Sequence, residues 1–470
     1  MKALYKNLAT ASNRELIVGV DKKVPLLNGA EATYINFDNA ASTPMLKPVL
    51  DTINQFADYY SSVHRGNGFK SQLSTKAYDD AREITLNFFG GNPSDHVVIF
   101  GKNTTEAINK LSYRLDLRKT DVVLVGLSEH HSNDLPWRQR ATVYHVEVDE
   151  QGNLSMTDLA KKLKKYAPKV KLVALSGGSN VTGAILDIDQ AAVLAHSFGA
   201  QILVDCAQLA PHRLVNIKQI SDPAHIDYIS VSAHKMYAPF GTGALIGRRE
   251  TFEQGDPELC GGGTIAVVTE DKVEWAPPPD RDEAGSPNVV GAVAFARALR
   301  FLSEFGMEAV AAHEAALTAY ALTKLASING IKIYGDTRPS TAHSRLGVIS
   351  FNLGALPASL VAAILGVEWG IGVRSGCFCA HPYVTRLLGL NKKDIENFRL
   401  SVMKGDRRQM PGMVRVSFGI YNTKLEVNRL IEALDQISAG AYEGTYKQDE
   451  YTGDFSAKGW QLKASDYFSL

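Results

Sequence analysis

Polar residues suited to chemistry follow several short apolar runs of this chain. The run ILVD ends in Asp205, and the run ISVS is followed closely by His234 and Lys235. A carboxylate that closes an apolar strand is buried, and its burial is costly unless a cation or a strong donor meets it. A partly desolvated lysine has a lowered pKa, which suits its amine to forming a Schiff base. The two residues therefore predict a site where a lysine amine reacts and a protonated group faces the carboxylate.

Three other runs end in groups suited to a phosphorylated aromatic ring. Thr104 and Thr105 open a helix after HVVIF, where free N–H groups and two hydroxyls form a phosphate seat. His130 follows DVVLVGL and can lie flat on a ring or transfer a proton, and Asn180 follows VKLVALS and can donate to a phenolate oxygen. Taken singly, each of these residues has a simpler explanation. The threonines can be an ordinary helix cap, the histidine a loop residue and the asparagine a turn residue. In this order, with the aspartate and the lysine, they predict pyridoxal 5'-phosphate (PLP), whose enzymes pair an Asp with the pyridinium nitrogen and a Lys with the aldehyde.

The elements that must position these residues are short buried strands alternating with helices. The strand candidates, mostly β-branched, cover residues 96–100, 121–127, 170–176, 201–207 and 226–232. The segments between them have apolar residues at three- and four-residue spacing, which is typical of helices. This alternation predicts an α/β fold with a mostly parallel central sheet, and such a sheet binds ligands beyond the carboxyl ends of its strands.

A change of pattern near residue 295 predicts a second, smaller α+β domain. We expect an N-terminal segment over 1–33 that packs with the small domain, and a large α/β domain over 34–295 that binds the cofactor. The small domain then covers 296–440 and carries a cysteine-containing loop, and 441–470 forms an irregular tail because it shows no clear periodicity.

Composition excludes several classes of function. The 50 basic residues balance the 50 acidic ones among 470, which favours neither nucleic acid nor an anionic membrane as a partner. The N-terminal sequence lacks a secretory signal, and no apolar run approaches the roughly 18 residues that span a bilayer. Four cysteines are too few for a disulfide framework. We therefore expect a cytoplasmic protein.

The motifs of the chain, in their order, resemble those of the class V aminotransferase family, whose members are fold-type I PLP enzymes. Within it they are most similar to the SUF-type (group II) cysteine desulfurases and the selenocysteine lyases. The likeness runs from about Tyr34 to about Ile437. Its main markers are NFDNAASTP (36–44), VHRGNG (63–68), EHHSNDLPW (129–137), VDCAQ (204–208), SAHKMYAPFGTG (232–243), VRSGCFCAHP (373–382) and VRVSFGIYNT (414–423).

The resemblance implies a role for each matched residue around the cofactor. Lys235 is implied to be the Schiff-base lysine, Asp205 the partner of the pyridinium nitrogen, and His130 the stacking and catalytic histidine. Asn180 and Gln208 are implied to tune the phenolate oxygen. The phosphate-binding set is implied to be Thr104, Thr105, Ser232 and His234, with Ser286 supplied by a second subunit, which implies a homodimer.

The resemblance also implies the substrate and the sulfur acceptor. Arg415 is implied to bind the substrate carboxylate, since a planar guanidinium meets a carboxylate bidentately. The rest of the implied substrate site is His64, Arg65, Asn180 and Arg374. Cys379 is implied to take sulfur from L-cysteine, leaving L-alanine and a persulfide that passes to an acceptor protein for iron–sulfur clusters or another sulfur-containing cofactor. The attack needs a thiolate, which Arg374 and His381 nearby would favour.

Two departures from the family pattern leave alternatives open. Cys377 and Phe378 precede the acceptor cysteine, a pattern that also resembles the desulfurase domain of molybdenum-cofactor sulfurases, so Cys377 is a second candidate for the acceptor. The segment 391–411 is longer than the usual connection. A selenocysteine lyase, or another class V lyase or aminotransferase, is the alternative within the fold. Outside it, two thiols and a histidine in five residues can supply metal ligands to a sulfur carrier, although we expect no metal site.

Overall fold

The computed structural model describes residues 14–64 and 66–469. The strands of this part of the chain are β1 Lys23–Pro25, β2 Glu31–Thr33, β3 Ile35–Asn36, β4 His96–Gly101, β5 Val122–Gly126, β6 Thr142–Val146, β7 Val170–Ser176, β8 Gln201–Asp205, β9 Tyr228–Ser232, β10 Gly243–Arg248, β11 Ile265–Val268, β12 Val273–Trp275, β13 Ile331–Tyr334, β14 Val348–Leu353, β15 Ile371–Gly372, β16 Arg374–Gly376, β17 Met413–Ser417, β18 Tyr446–Gln448 and β19 Phe455–Ala457.

The α-helices separate most of these strands. They are α1 Lys47–Ala57, α2 Phe69–Phe88, α3 Thr104–Arg114, α4 Leu135–Arg140, α5 Met156–Tyr166, α6 Ile188–Ser197, α7 Arg249–Glu253, α8 Val289–Phe305, α9 Met307–Leu325, α10 Ala358–Trp369, α11 His381–Leu387, α12 Lys392–Met403 and α13 Lys424–Ser438. Short 3-10 helices, among them Ala233–Lys235, occur in the loops.

The central sheet has seven strands in the order β4-β10-β9-β8-β7-β5-β6. Only β10 runs against its neighbours β4 and β9, and the remaining pairs are parallel. The predicted α/β fold with a mostly parallel sheet is therefore confirmed. The sequence did not predict β6 or β10: β6 is an edge strand with only one buried residue, and β10 carries glycines within its apolar run.

The N-terminus of α3 lies directly against the backbone of the central sheet. Asn103 caps α3, since its side-chain oxygen accepts the N–H of Glu106 at 3.0 Å. A Cβ added to Gly243 in β10 would lie 2.5 Å from the Cα of Asn103 and 2.6 Å from the carbonyl oxygen of Val231. The absence of a side chain at this one position therefore allows the helix end to approach the sheet.

A second sheet, β13-β14-β17-β16, is antiparallel and has a core of its own. Apolar residues of α9, α10 and α13 cover it, and Ile35 of β3 joins this core because β3 pairs with β15. The predicted boundary at residue 295 falls within α8, which continues from Val289 to Phe305. The limits of the domains stay predictions.

The segments after the second sheet differ from the sequence expectation. Residues 392–403 form α12, which begins with a capping box at Asn391 and buries none of its side chains. The segment 441–470 was expected to be irregular, but β18 and β19 form a hairpin within it. Each of these strands has three residues, too few to show a periodicity. The hairpin packs on α10, and the N–H of Arg407 donates to the carbonyl oxygen of Glu450 at 2.8 Å.

The longest helices of the protein carry charges along their length. The helix α2 has 20 residues and α9 has 19, and both contain lysine and acidic residues. Within residues 14–64 and 66–469, no helix is both long and apolar enough to cross a membrane.

Candidate active site

A cavity of about 220 Å³ lies at the carboxyl ends of the central strands. It brings together most of the residues that the sequence predicted. Those that line it are Thr104, Thr105, His130, Asn180, Asp205, Gln208, Ser232, His234, Lys235, Arg374, Cys379 and Arg415. It is also lined by residues that the sequence reading did not assign to the site, among them Asn103, Ser132, Ser176 and Phe378. Strand ends that are distant in sequence thus meet at one edge of the sheet.

Asp205 ends β8 as a buried carboxylate at this cavity. Its side chain is 4% exposed, and its Oδ1 accepts the N–H of Ala207 at 2.9 Å. Burial raises the pKa of Asp205, while the N–H of Ala207 and the positive charge of Lys235 oppose the rise. A buried carboxylate with one neutral donor is suited to meet a protonated ring nitrogen.

Lys235 ends the short helix Ala233–Lys235 that follows β9. Burial lowers the pKa of its amine to about 8, and the negative charge of Asp205 opposes this shift. The turn that carries the lysine is fixed by main-chain bonds, since the carbonyl oxygen of His234 accepts the N–H of Thr43 at 2.9 Å. A lysine with this pKa is partly neutral near neutral pH and is therefore a competent nucleophile and base.

Hydroxyl groups surround the N-terminus of α3. The N–H of Thr104 donates to Ser232 Oγ at 2.9 Å, and that hydroxyl donates to Thr104 Oγ1 at 2.9 Å. Thr105 Oγ1 and Ser132 Oγ are 2.6 Å apart. Burial, and then the charge of Lys235, lower the pKa of His234 to about 4. The positive end of the helix with these neutral donors forms a seat for an anion.

His130 presents a defined tautomer to the cavity. The N–H of Ser132 donates to His130 Nδ1 at 3.1 Å, so Nδ1 carries the lone pair and Nε2 carries the proton. Burial, and then the charge of Lys235, lower the pKa of this histidine to about 4. The ring is thus neutral at pH 7. It suits stacking and hydrogen-bond donation from Nε2, and it cannot accept a proton at Nε2 without changing tautomer.

The two predicted amide donors, Asn180 and Gln208, already contact main-chain carbonyl groups. Asn180 Nδ2 donates to the carbonyl oxygen of Phe378 at 2.8 Å, and Gln208 Nε2 donates to that of Ala40 at 2.6 Å. A primary amide has two N–H groups, so each side chain keeps one for a ligand. The bond to Phe378 also connects the loop that carries Cys379 to the large sheet. The sequence did not indicate this contact.

Two arginines line the cavity and, together with a neighbouring aspartate that does not line it, form a charged wall. Arg374 and Arg415 lie opposite each other in the β16–β17 pair. Arg415 is buried, and its Nη2 lies 3.0 Å from Asp38 Oδ1, whereas the exposed Arg374 lies 3.8 Å from Asp38 Oδ2. Asp38 was not predicted as a site residue, although it belongs to the NFDNAASTP motif. The wall holds two positive charges and one negative charge, which favours an anionic substrate.

The two cysteines of the Cys-Phe-Cys sequence have different environments. Cys379 is exposed and lines the cavity, and both it and Phe378 have left-handed backbone angles, with φ of 55° and 51°. Cys377 is buried, its Sγ lies 3.0 Å from the carbonyl oxygen of Pro411, and burial raises its pKa to about 12. Only Cys379 is placed to react, because a thiol with a pKa near 12 supplies almost no thiolate at neutral pH.

Two predicted site residues do not line the cavity, and a third lies outside the described residues. His64 is exposed and does not line the cavity, so its placement at the substrate entrance is not seen here; its N–H donates to Thr75 Oγ1 at 2.9 Å and its ring meets that of Tyr78 edge-on. Ser286 is also exposed and outside the cavity of its own chain. Arg65 lies outside the described residues.

A buried glutamate beneath the histidine loop was not predicted. Glu129 accepts the side-chain N–H of Asn133 at 2.7 Å and the main-chain N–H of Ser176 at 2.8 Å. Burial raises its pKa to about 8. It connects the loop after β5 to the end of β7 and so fixes the loop that carries His130. The EHHSN motif contained this residue, but nothing in its spacing indicated that it would be buried.

The cysteines and the histidine of residues 377–381 are not among the potential metal ligands that converge in the described part of the chain. Among the described residues, the group whose ligand atoms converge is His196, His225 and Asp227. The two imidazole rings there are stacked 4.1 Å apart at 18°, so their in-plane lone pairs run side by side and cannot both be directed at one ion. Asp227 Oδ1 also accepts Arg248 Nη1 at 2.9 Å. This group is a structural network of hydrogen bonds.

The donor set fits PLP. The cavity offers a buried carboxylate for the ring nitrogen, an amine with a lowered pKa for the aldehyde, and a helix N-terminus with hydroxyls for the phosphate. It offers no comparable cluster of metal ligands within the described residues.

Comparison with known proteins places the chain in a family. Residues 35–430 match the Aminotransferase class-V family, to which the chain therefore belongs. Its relatives there include a cysteine desulfurase of Haloferax volcanii, 33% identical over 89% of this chain and 93% of the relative, and a probable cysteine desulfurase of Staphylococcus aureus, 33% identical over 89% and 94%. The predicted family is confirmed, whereas the narrower SUF-type assignment stays a prediction.

Solved structures of cysteine desulfurases share the fold. The apo enzyme of Thermococcus onnurineus aligns with a TM-score of 0.75 and 32% identity, covering 87% of this chain and 95% of that one. A cysteine desulfurase of Escherichia coli aligns with a TM-score of 0.75 and 27% identity, covering 93% and 99%. These alignments extend over both sheets of the protein.

Proposed function

We propose that this protein is a PLP-dependent cysteine desulfurase that converts L-cysteine to L-alanine and leaves a persulfide on Cys379. The observation that carries the proposal is a single cavity that holds the cofactor-binding pair Asp205 and Lys235 together with the thiol of Cys379. The full-length likeness to proteins named cysteine desulfurase supports the choice of reaction. An aminotransferase would have no use for the exposed thiol at this place.

The residues that would hold the cofactor are those of the cavity floor. Thr104, Ser232 and the N-terminus of α3 would bind the phosphate, Asp205 the ring nitrogen, and Lys235 the aldehyde, while His130 would cover the ring. When bound, PLP supplies an aldehyde that joins the substrate amine covalently and a ring that takes up the electrons released at the α-carbon.

Lys235 would move the proton at the substrate α-carbon. Its amine, with a pKa of about 8, would accept that proton. Arg415 would hold the substrate carboxylate, and the neutral His130 would donate from Nε2 without competing for the proton. Removing the proton weakens the bond between the β-carbon and sulfur.

Cys379 would then accept the sulfur. Its thiolate attacks the substrate sulfur, a new S–S bond forms as the Cβ–S bond breaks, and the bonding electrons stay with the β-carbon, which is protonated to give the methyl group of alanine. The exposed position of Cys379 supports onward transfer of the persulfide sulfur to an acceptor protein. We also propose a homodimer, since the exposed Ser286 is free to serve a neighbouring subunit.

The test compares the two cysteines. The wild-type protein, given L-cysteine and a thiol reductant, should release alanine and sulfide in equal amounts. Cys379→Ser should lose at least about a hundredfold of this activity, as expected for removal of a nucleophile, with the visible absorption of the bound cofactor unchanged. Cys377→Ser is the matched control and should stay active. Equal activity of Cys379→Ser and wild type would refute the proposal and favour a lyase that needs no thiol, such as a selenocysteine lyase.

A further inference from the structure

The loop that carries Cys379 is held in an unfavourable backbone conformation. Phe378 and Cys379 are consecutive residues other than glycine with positive φ, at 51° and 55°. Such angles are unfavourable for residues other than glycine, and they persist only where surrounding contacts impose them. The contacts around this loop therefore determine where the thiol points.

The contacts that hold the loop come from the large sheet. Asn180 Nδ2 donates to the carbonyl oxygen of Phe378 at 2.8 Å, and the main-chain N–H of His131 donates to that of Cys379 at 2.7 Å. The N–H of His381 donates to His131 Nε2 at 3.3 Å. His131 is thus bonded to the loop on both sides of Ala380.

The imidazole of His131 makes a specific contribution to this arrangement. Its Nε2 must carry a lone pair to accept the N–H of His381, so the neutral ring holds its proton on Nδ1. The rings of His131 and His381 also meet, with centroids 4.8 Å apart at 38°. Protonation of His131 at Nε2 would break the bond and place a second donor against the N–H of His381.

We propose that His131 is a positioning residue that holds the loop of Cys379 in the conformation that presents the thiol to the substrate, and that protonation of its imidazole releases the loop. The proposal rests on the proposed function of Cys379. His131 does not line the cavity, whereas its neighbour His130 does. The two histidines of the EHHSN motif therefore serve different parts of the site, the first the cofactor and the second the sulfur acceptor.

The surroundings of His131 keep it neutral at physiological pH. Burial lowers its pKa, and so does the proximity of His381, while Asp134 opposes the shift and Arg138 adds to it. The pKa of His381 is itself lowered by burial. The hydrogen bond is consequently intact at neutral pH and is lost only as the pH falls through the lowered pKa of His131, below the ordinary value of about 6.5.

The test uses two substitutions and a control. His131→Ala removes the acceptor, His131→Gln restores an acceptor oxygen near the position of Nε2, and His343→Ala alters an exposed histidine in the short helix Pro339–Ser344. At pH 8 the Ala variant should form the persulfide on Cys379 about fivefold more slowly than wild type, the factor that one hydrogen bond represents. The Gln variant and the control should match wild type. Below the lowered pKa of His131, the wild-type rate should fall to that of the Ala variant measured at the same pH.

A second readout separates this proposal from the proposed function. Hydrogen–deuterium exchange of the peptide that contains His381 should be about fivefold faster in His131→Ala than in wild type or His131→Gln. Equal exchange in all variants, or a Gln variant that behaves like Ala, overturns the proposal. If exchange follows the expectation but L-cysteine leaves the cofactor spectrum of wild type unchanged, the proposed function fails and the positioning role of His131 stands.

Discussion

The floor and the rim of the cavity are built in different ways. The floor groups, Asp205 and Lys235, follow the ends of β8 and β9, where a seven-stranded sheet fixes their positions. The rim thiol of Cys379 lies on a loop in a strained conformation, held by side chains of another part of the chain. The floor is therefore fixed by secondary structure, whereas the rim depends on a few hydrogen bonds. A mutation in either region should reveal this difference.

The largest effect is expected from removing the amine on the floor. Lys235→Ala should lower alanine formation by about 10²–10⁴-fold, the usual worth of a general base, because the α-proton then has no acceptor. The measurement is alanine released from L-cysteine by the variant loaded with PLP. Lys218→Ala, at a surface ion pair with Asp189, is the matched control and should be fully active. A Lys235→Ala enzyme within tenfold of wild type would contradict the assignment of the floor.

The next largest effect is expected at Asp205, where substitution should lower the activity but raise the stability of the cofactor-free protein. Asp205→Asn keeps the shape but removes the charge that would hold the ring nitrogen, so activity should fall by about 10- to 100-fold, the worth of one charged hydrogen bond. The folded pKa of Asp205 is raised, so its stabilising effect is present at low pH and lost as the pH rises through that value. At pH 7 this carboxyl group therefore destabilises the cofactor-free protein, because it is ionised in the unfolded chain and its ionised form is disfavoured in the folded one.

Thermal unfolding of the cofactor-free protein checks this second expectation. Asp205→Asn should melt at a higher temperature than wild type at pH 7, and the difference should vanish in acid. Asp51→Asn, an exposed aspartate in α1, should change neither the melting temperature nor the activity. A lower melting temperature for Asp205→Asn at pH 7 would mean that its carboxylate is already compensated within the protein.

A smaller effect is expected from pH acting on the floor. Lys235 must be neutral to react with an aldehyde, and its pKa is about 8. The rate at which the cofactor-free protein takes up PLP should therefore rise about tenfold per pH unit below that value and level off above it. Absorbance of the bound cofactor against time gives this rate. A rate that is still rising tenfold per pH unit at pH 9 would show that the amine is not desolvated.

The smallest effect is expected in α12, which follows the loop of Cys379 in the chain. Leu400 and Met403 of α12 are 44% and 74% exposed, so replacing either by Ser should change the free energy of unfolding by no more than about 0.5 kcal/mol. Leu434→Ala in the buried face of α13 provides the contrast, at about 2–5 kcal/mol. Denaturant unfolding measures both. A loss above about 1 kcal/mol for the α12 variants would show that this helix packs against the rest of the molecule.

The residues of the floor could be predicted from the sequence because they lie at, or just after, the ends of recognisable strands. Asp205 and Lys235 each follow a β-branched run, and a parallel sheet brings such ends together without further information. The antiparallel strand β10 was not predicted, since the glycines in its short run weaken the pattern. It lies between β4 and β9 in the sheet.

The rim could be predicted only in part. The role of Cys379 was predicted from the resemblance, but its contrast with Cys377 depends on burial, which the spacing of two residues cannot reveal. Asp38 and Ser132 were missed because their contacts with the site are to residues distant in sequence. Asp38 contacts Arg415, and Ser132 contacts Thr105. The hairpin of β18 and β19 was missed because its strands are too short for periodicity.

Gly243 illustrates how such a site constrains its own variation. The residue has no side chain and touches no ligand, yet a methyl group there would meet the backbone of Asn103 and Val231, neither of which can move without shifting a helix or a strand. A survey of tolerated substitutions should therefore rank this position with the reactive lysine. We therefore expect positions that tolerate no substitution both where two backbone segments are in contact and where residues take part in the reaction.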